Sequence, residues 1–173
     1  LGEFIVKNLT LSNIIAATHG EYHGPADILD RVIAAVTTDS RAVAAGALFA
    51  AIPGEKVDGH DFIQMAADAG ALAALAQRVP EGCTLPVIVV KNTIEALGDL
   101  AAFYRRQFDV PVLGVTGSVG KTTAKEMLAS VLSQRFRVHK TAKNLNNDLG
   151  VPLTLFGLEE TTEFAVSEIA ISQ

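Results

Sequence analysis

The run Thr116-Gly117-Ser118-Val119-Gly120-Lys121-Thr122-Thr123 places two glycines, a lysine and four hydroxyl residues within eight positions. It follows the apolar segment Val112–Val115 and opens an amphipathic stretch from Lys121 onward. Glycines in a turn between strand and helix let backbone N–H groups face inward around a polyphosphate, and the helix N-terminus adds partial positive charge. In that frame Gly117, Ser118, Val119, Gly120, Lys121, Thr122 and Thr123 form the nucleotide-phosphate loop. Lys121 brings a full charge to the outer phosphates and is the candidate catalytic residue, and the Thr122 hydroxyl can ligate Mg²⁺. The strict pattern has a further glycine where this chain has Val115, so the motif here is Gly-x-x-Gly-Lys-Thr. The plainer alternative is a glycine turn with a solvated lysine.

Other candidates lie outside the loop. Glu168 ends the apolar segment Phe164-Ala165-Val166-Ser167, which puts a carboxylate at the C-terminal end of a strand, near the loop mouth of a parallel sheet. It is read either as a cation ligand or as a salt-bridged strand end. Asn144, Asn146 and Asn147 sit in a polar stretch before Leu149. Asn144 and Asn147 are expected to touch substrate or metal-bound water, against the alternative of turn formation and helix capping. Ser40 and Arg41 follow an apolar and threonine-rich segment, and a guanidinium suits a diphosphate through forked bonding, against a surface turn. His60 is expected to cap or pack before a helix, and Glu55 and Lys56 to be solvated. His19 and His23 lack a third ligand and are not read as a metal pair.

These residues need elements to hold them. Ala47–Ile52, closed by Pro53-Gly54, reads as a buried strand, followed by a helix over Asp61–Ala69 that stops at Gly70. Ala71–Ala76 and Leu85–Val90 read as further strands. Asn92–Phe108 carries the stripe Ile94, Leu97, Ala101, Tyr104 and Phe108, with Asn92 or Thr93 as cap and Glu95 near the positive end of the helix dipole. A domain boundary is expected near Asp109, giving an N-terminal domain over 1–109 and a second over 110–173. The second reads strand, loop, helix, strand, helix, strand: Val112–Val115, the loop, a helix over Lys121–Gln134 with Met127, Leu128, Val131 and Leu132 facing inward, a strand over Arg137–Lys140, and Phe164–Ile169. Such alternation predicts an α/β fold with a mainly parallel sheet and right-handed crossovers.

The composition sets bounds. With 49% hydrophobic and 19% charged residues the chain can bury a core, which excludes disorder. Its net charge of −5 argues against a nucleic-acid or anionic-membrane partner. The single cysteine, Cys83, excludes an internal disulfide framework. The first residues lack the features of a signal peptide, and no apolar run reaches the ~18–20 residues of a membrane span. A cytoplasmic, monomeric protein is expected. A chain that finishes just after a fresh strand is expected to be a piece of a longer protein.

The segment Gly114–Met127 resembles the ATP loop of the Mur ligases. Within that family, Lys125-Glu126-Met127 and Asn144–Thr154 are similar to members that add D-alanyl-D-alanine to a UDP-N-acetylmuramoyl-tripeptide. Thr38–Arg41, Gly46–Ala51 and Gly54–Phe62 resemble the UDP-binding N-terminal domain, so the likeness runs from about Val36 to Glu168. The resemblance implies a UDP-precursor-binding α/β domain, the start of a P-loop ATPase domain, and the absence here of a C-terminal domain. It implies ATP and Mg²⁺ as cofactors, Thr122 and Glu168 as metal ligands, and an acyl-phosphate route to an amide bond. The family usually has glycine where this chain has Ala170. Alternatives are a Mur ligase for a different amino acid, or a non-catalytic binding fragment. A P-loop kinase or GTPase is disfavoured because no Asn-Lys-x-Asp run occurs.

Overall fold

The computed structural model describes residues 4–54 and 57–170, and the reading of Glu55 and Lys56 as solvated charges lies outside them. The chain divides into two compact units, residues 1–100 and 101–173, and the division falls inside a helix.

The first unit is built on a six-stranded sheet. Its strands are β1 (Phe4–Ile5), β2 (Glu21–His23), β3 (Ala35–Thr37), β4 (Leu48–Ala50), β5 (Ala73–Ala76) and β6 (Val87–Val89). The order is β1-β3-β4-β5-β6-β2. The four central strands are parallel, with Val36 opposite Leu48, Leu48 opposite Ala73 and Leu75 opposite Ile88, and β1 and β2 close the edges antiparallel. Strands covered on both faces must be apolar throughout. Accordingly every residue of β3, β4 and β5 is buried. The edge strand β2 instead exposes Glu21 and His23, which blunts it against further pairing.

Helix α1 (Leu11–Thr18) is capped by Thr10, whose hydroxyl accepts from Asn13 N, and ends at His19 in the left-handed region. Helix α2 (Ile63–Asp68) packs Ile63 and Ala66 on Phe49, Ala51, Ala74, Ala76, Leu85 and Val87. It is shorter than the expected Asp61–Ala69, because Gly59–Phe62 forms a tighter 3₁₀ turn first. Gly70 closes it with φ +90°. Helix α3 (Thr93–Arg105) is capped by Asn92, whose Oδ1 accepts from Ile94 N and Glu95 N while its amide donates to Glu95 Oε1. The expected helix ran on to Phe108. It stops earlier because the Arg105 guanidinium donates to the carbonyls of Phe108 and Val110, turning the chain out of the helix.

The second unit carries a three-stranded parallel sheet of β7 (Val112–Val115), β8 (Val138–Lys140) and β9 (Phe164–Glu168), with β9 central. Helix α4 (Lys121–Leu132) links β7 to β8, and α5 (Gly150–Leu155) precedes β9. The register sets Val112 opposite Ala165 and Val115 opposite Glu168, so β7 and β9 end level with one another. Tyr104 packs on Phe108 and Phe156, and its hydroxyl donates to Leu158 O.

One expectation is corrected here. Met127, Leu128, Val131 and Leu132 were to face inward, yet Met127 is 64% and Val131 72% exposed, Leu128 is exposed and Leu132 only half-buried. The buried face of α4 is instead Lys125 and Ala129, one turn apart. That face is held by polar contacts: Lys125 reaches the Thr141 carbonyl and lies 3.6 Å from the Glu168 carboxylate beneath the helix.

In the 173-residue chain, Met127→Ala should change the unfolding free energy by less than about 0.5 kcal/mol. Ala129→Leu, which adds volume between α4 and the sheet, should cost about 1–3 kcal/mol. Denaturant titration checks both, and the opposite ranking would mean that the stripe faces inward after all.

Candidate functional site

Strand β7 delivers the chain into residues 116–120, and α4 begins directly at Lys121. Gly117 (φ +145°) and Gly120 (φ +77°) occupy backbone conformations that side chains rarely adopt, and Gly120 is the N-cap of α4. The first helical bond runs from Ala124 N to Gly120 O, so the preceding amides remain available at the positive end of the helix. The Lys121 side chain folds back across the loop and donates from Nζ to Gly117 O at 2.8 Å. Val119 is the most exposed of the large apolar residues described, as a residue at the crest of the loop must be.

Across from the loop stands Glu168, at the end of β9. Its Oε1 accepts from Thr122 Oγ1 at 3.2 Å and from Asn146 Nδ2 at 2.8 Å. Its Oε2 lies 3.6 Å from Lys125 Nζ and has no hydrogen-bond partner among the described residues. The residue is 2% exposed. Burial pushes the Glu168 carboxyl up, but Asn146, Thr122 and Lys125 together outweigh it, and the group sits below the usual carboxylate range. The interactions of this anion are therefore fully present above the ordinary carboxylate pKa and are lost as the pH falls through the lowered value.

The asparagine segment is ordered by a close approach. A Cβ at Gly150 would lie 2.3 Å from the Leu145 backbone carbon, so only glycine lets the start of α5 press against this segment. Asn147 Oδ1 accepts from Gly150 N at 2.8 Å and so caps α5, while Asn144 is exposed. It is Asn146 that meets Glu168, held by its own carbonyl, which accepts from Ala170 N. Asn146 and Lys125 were missed as site residues. Lys125 carried one signal, its position one helical turn beyond Lys121, and three neighbouring asparagines carried none that separates them.

The oxygens of Thr122 and Glu168, 3.2 Å apart at the loop, suit a hard cation such as Mg²⁺, which takes one or two protein oxygens and completes its shell with phosphates and water. The unbonded Glu168 Oε2 leaves the carboxylate with spare acceptor capacity. Among the described residues no group of three or more His, Cys, Asp or Glu could form a cage of protein ligands, so a cation here would depend on the phosphates it accompanies.

In the first unit, Ser40–Ala42 forms a 3₁₀ turn capped by Asp39. Arg41 donates from Nε and Nη2 to the two Asp39 oxygens at 2.9 and 2.8 Å, and its side chain is 83% exposed. The Arg41 hydrogen bonds hold Asp39 down at about 2. His60 is buried: its Nδ1 meets Asp58 and its Nε2 accepts from Gln77 N, so the ring ties the loop before α2 to the end of β5. His19 caps α1, and His23 pairs with Glu21.

Comparison with known proteins follows the same division. Residues 32–105 match the family model described as the Mur ligase family catalytic domain, and residues 115–173 match the Mur ligase middle domain. The UDP-N-acetylmuramoyl-tripeptide–D-alanyl-D-alanine ligase of Synechocystis is 47% identical over 138 residues, covering 79% of this chain and 30% of that protein. The crystal structure of MurF from Acinetobacter baumannii superposes with a TM-score of 0.88 at 38% identity, over 96% of this chain and 36% of that one. The MurF ligase of Thermotoga maritima in complex with ADP matches with a TM-score of 0.73 at 36% identity, over 80% of this chain and 32% of that one. The chain thus spans about a third of the length of the curated relatives it matches. No helix among the described residues is long and apolar enough to cross a membrane. Matched in both of its units, by sequence and by fold, the chain belongs to the Mur ligase family.

Proposed function

We propose that the protein to which this chain belongs is an ATP-dependent ligase that joins D-alanyl-D-alanine to the terminal carboxylate of a UDP-N-acetylmuramoyl-tripeptide, in the synthesis of peptidoglycan precursor. The observation that carries the reading is the Thr122–Glu168 pair, standing beside a glycine turn that opens α4. The relatives' names and the ADP complex of the Thermotoga protein support it.

A carboxylate is a poor electrophile until one of its oxygens becomes a good leaving group. Transfer of the terminal phosphoryl group of ATP supplies that group, and attack by the dipeptide's amine then forms the amide and releases phosphate. Phosphoryl transfer needs alignment and charge neutralisation more than covalent assistance. The amides of Gly117–Thr123 hold the polyphosphate in place. Lys121 Nζ, now on Gly117 O, is within its own reach of the outer phosphates and neutralises charge as it develops. Thr122 and Glu168 would hold Mg²⁺, which when bound screens the phosphate oxygens from one another. Asn146 orients the carboxylate, and Asn144, exposed on the same segment, is available to substrate. Asn147 supports that segment through its cap on α5.

Ser40 and Arg41 in the first unit are assigned to the diphosphate of the UDP moiety. Asp39 holds the guanidinium with its outer edge in solvent, a pre-oriented fork for a phosphate. The reading includes a cytoplasmic, monomeric protein with no nucleic-acid partner, in keeping with the net charge of −5.

Phosphate release by the whole enzyme should require D-alanyl-D-alanine and should not respond to any single amino acid. Dependence on a single amino acid would assign it to another branch of the family. Lys121→Ala should lower turnover by about 10²–10³-fold or more with an unchanged circular dichroism spectrum, and near-normal turnover would remove the loop from the chemistry. Arg41→Ala should weaken binding of the UDP-linked substrate by about 10–100-fold, the loss of a charge-assisted hydrogen-bond pair, with ATP affinity unchanged. Calorimetry with each ligand separates the two effects.

A further inference from the structure

Lys125 is 1% exposed, on the buried face of α4, and no step of the proposed chemistry uses it. Its Nζ donates to Thr141 O at 3.0 Å and lies 3.2 Å from Glu126 Oε1. The other oxygen of Glu126 pairs with Lys140 at the end of β8. Thr141 also accepts, through its hydroxyl, from Glu168 N at 2.9 Å. One residue after β8 thus anchors both the ammonium and the strand end that bears the carboxylate.

A buried carboxylate with one oxygen unbonded would be costly without a nearby opposite charge. Lys125 supplies that charge, 3.6 Å from Oε2. Thr122 and Asn146 take Oε1, and Lys125 faces Oε2, so the carboxylate cannot rotate without giving up one set or the other.

We propose that Lys125 is a positioning residue whose buried ammonium fixes the Glu168 carboxylate beside the phosphate loop before nucleotide and cation arrive. The inference rests on the reading of the loop and Glu168 as a nucleotide–cation site. Lys125 also holds Thr141 O and Glu126, and its effect on the cation site runs through Glu168. A lysine that only pins α4 to the sheet would contribute the same stability whatever residue stands at 168. A lysine that positions Glu168 loses the greater part of its contribution once the carboxylate is gone.

The test has two readouts in the whole protein. The first is thermal unfolding without ligand of Lys125→Met, Glu168→Gln and the double variant. Lys125→Met should lower Tm clearly in the native background and by less than half as much, or not at all, in the Glu168→Gln background. Equal losses in both backgrounds would overturn the inference. Should Lys125→Met alone fail to fold, the double variant should fold, and its failure as well would also overturn it. The second readout is the Mg²⁺ concentration at half-saturation for binding a non-hydrolysable ATP analogue. It should rise about tenfold or more in Lys125→Met, as for loss of a residue that orients a metal ligand. Affinity for the analogue without Mg²⁺ should stay within about twofold. An unchanged Mg²⁺ midpoint overturns the inference alone. Absence of Mg²⁺-dependent analogue binding by the unaltered protein overturns the reading of the site and the inference with it.

Discussion

An ionised carboxylate folded into the protein interior is the constraint around which the second unit is organised. Taking such a group out of water costs several kcal/mol unless its neighbours replace the lost hydration. The Glu168 carboxylate is given those neighbours by Thr122 and Lys125 from the first turns of α4 and by Asn146 from the stretch before α5, while Thr141, just after β8, accepts from the Glu168 backbone N–H. Each contact ties one of these segments to the end of the central strand. The parallel register that sets Glu168 opposite Val115 puts this cluster beside the residues that begin the glycine turn. The order β7-β9-β8 has the same effect, because it makes the carboxylate-bearing strand the neighbour of the loop-bearing one.

The same constraint explains a helix that contradicts its own pattern. Apolar periodicity assigns Met127, Leu128 and Val131 to the inner face of α4, because burying apolar area is ordinarily the strongest term. Breaking a buried ammonium–carboxylate pair leaves an uncompensated charge, which holds Lys125 against the sheet, and the exposure of the stripe is that of a chain spanning about a third of its relatives' length. Lys125 therefore faces inward and the stripe faces out. No periodicity analysis sees this, because the partner that decides it lies more than forty residues away.

Much else was legible. The strands at Ala47–Ile52, Ala71–Ala76 and Leu85–Val90 are found close to their expected bounds, because fully buried parallel strands are short apolar runs between turn residues. The glycine turn between strand and helix was readable from the sequence, and Gly117 and Gly120 adopt the positive φ angles that such glycines permit. Side-chain chemistry alone narrowed the cap of α3 to Asn92 or Thr93, and the hydrogen bonds fall to Asn92. The division of labour among Asn144, Asn146 and Asn147 was not readable. Three like residues in one polar run are distinguished only by the approach of Gly150 to Leu145, which turns Asn147 toward α5 and Asn146 toward Glu168. The pairing of Arg41 with Asp39 was equally local, yet it shows only in side-chain geometry.

The central claim is that the glycine turn, Lys121, Thr122 and Glu168 form one site for a polyphosphate and its cation. A crystal structure of the whole protein with a non-hydrolysable ATP analogue and Mg²⁺ tests it most directly. The account predicts the outer phosphates within the Gly117–Thr123 turn, Lys121 Nζ moved from Gly117 O onto a phosphate oxygen, and one Mg²⁺ coordinated at about 2.0–2.1 Å by Thr122 Oγ1, with Glu168 in its shell directly or through one water. Phosphates seated elsewhere, or a metal bound out of reach of both Thr122 and Glu168, would contradict it.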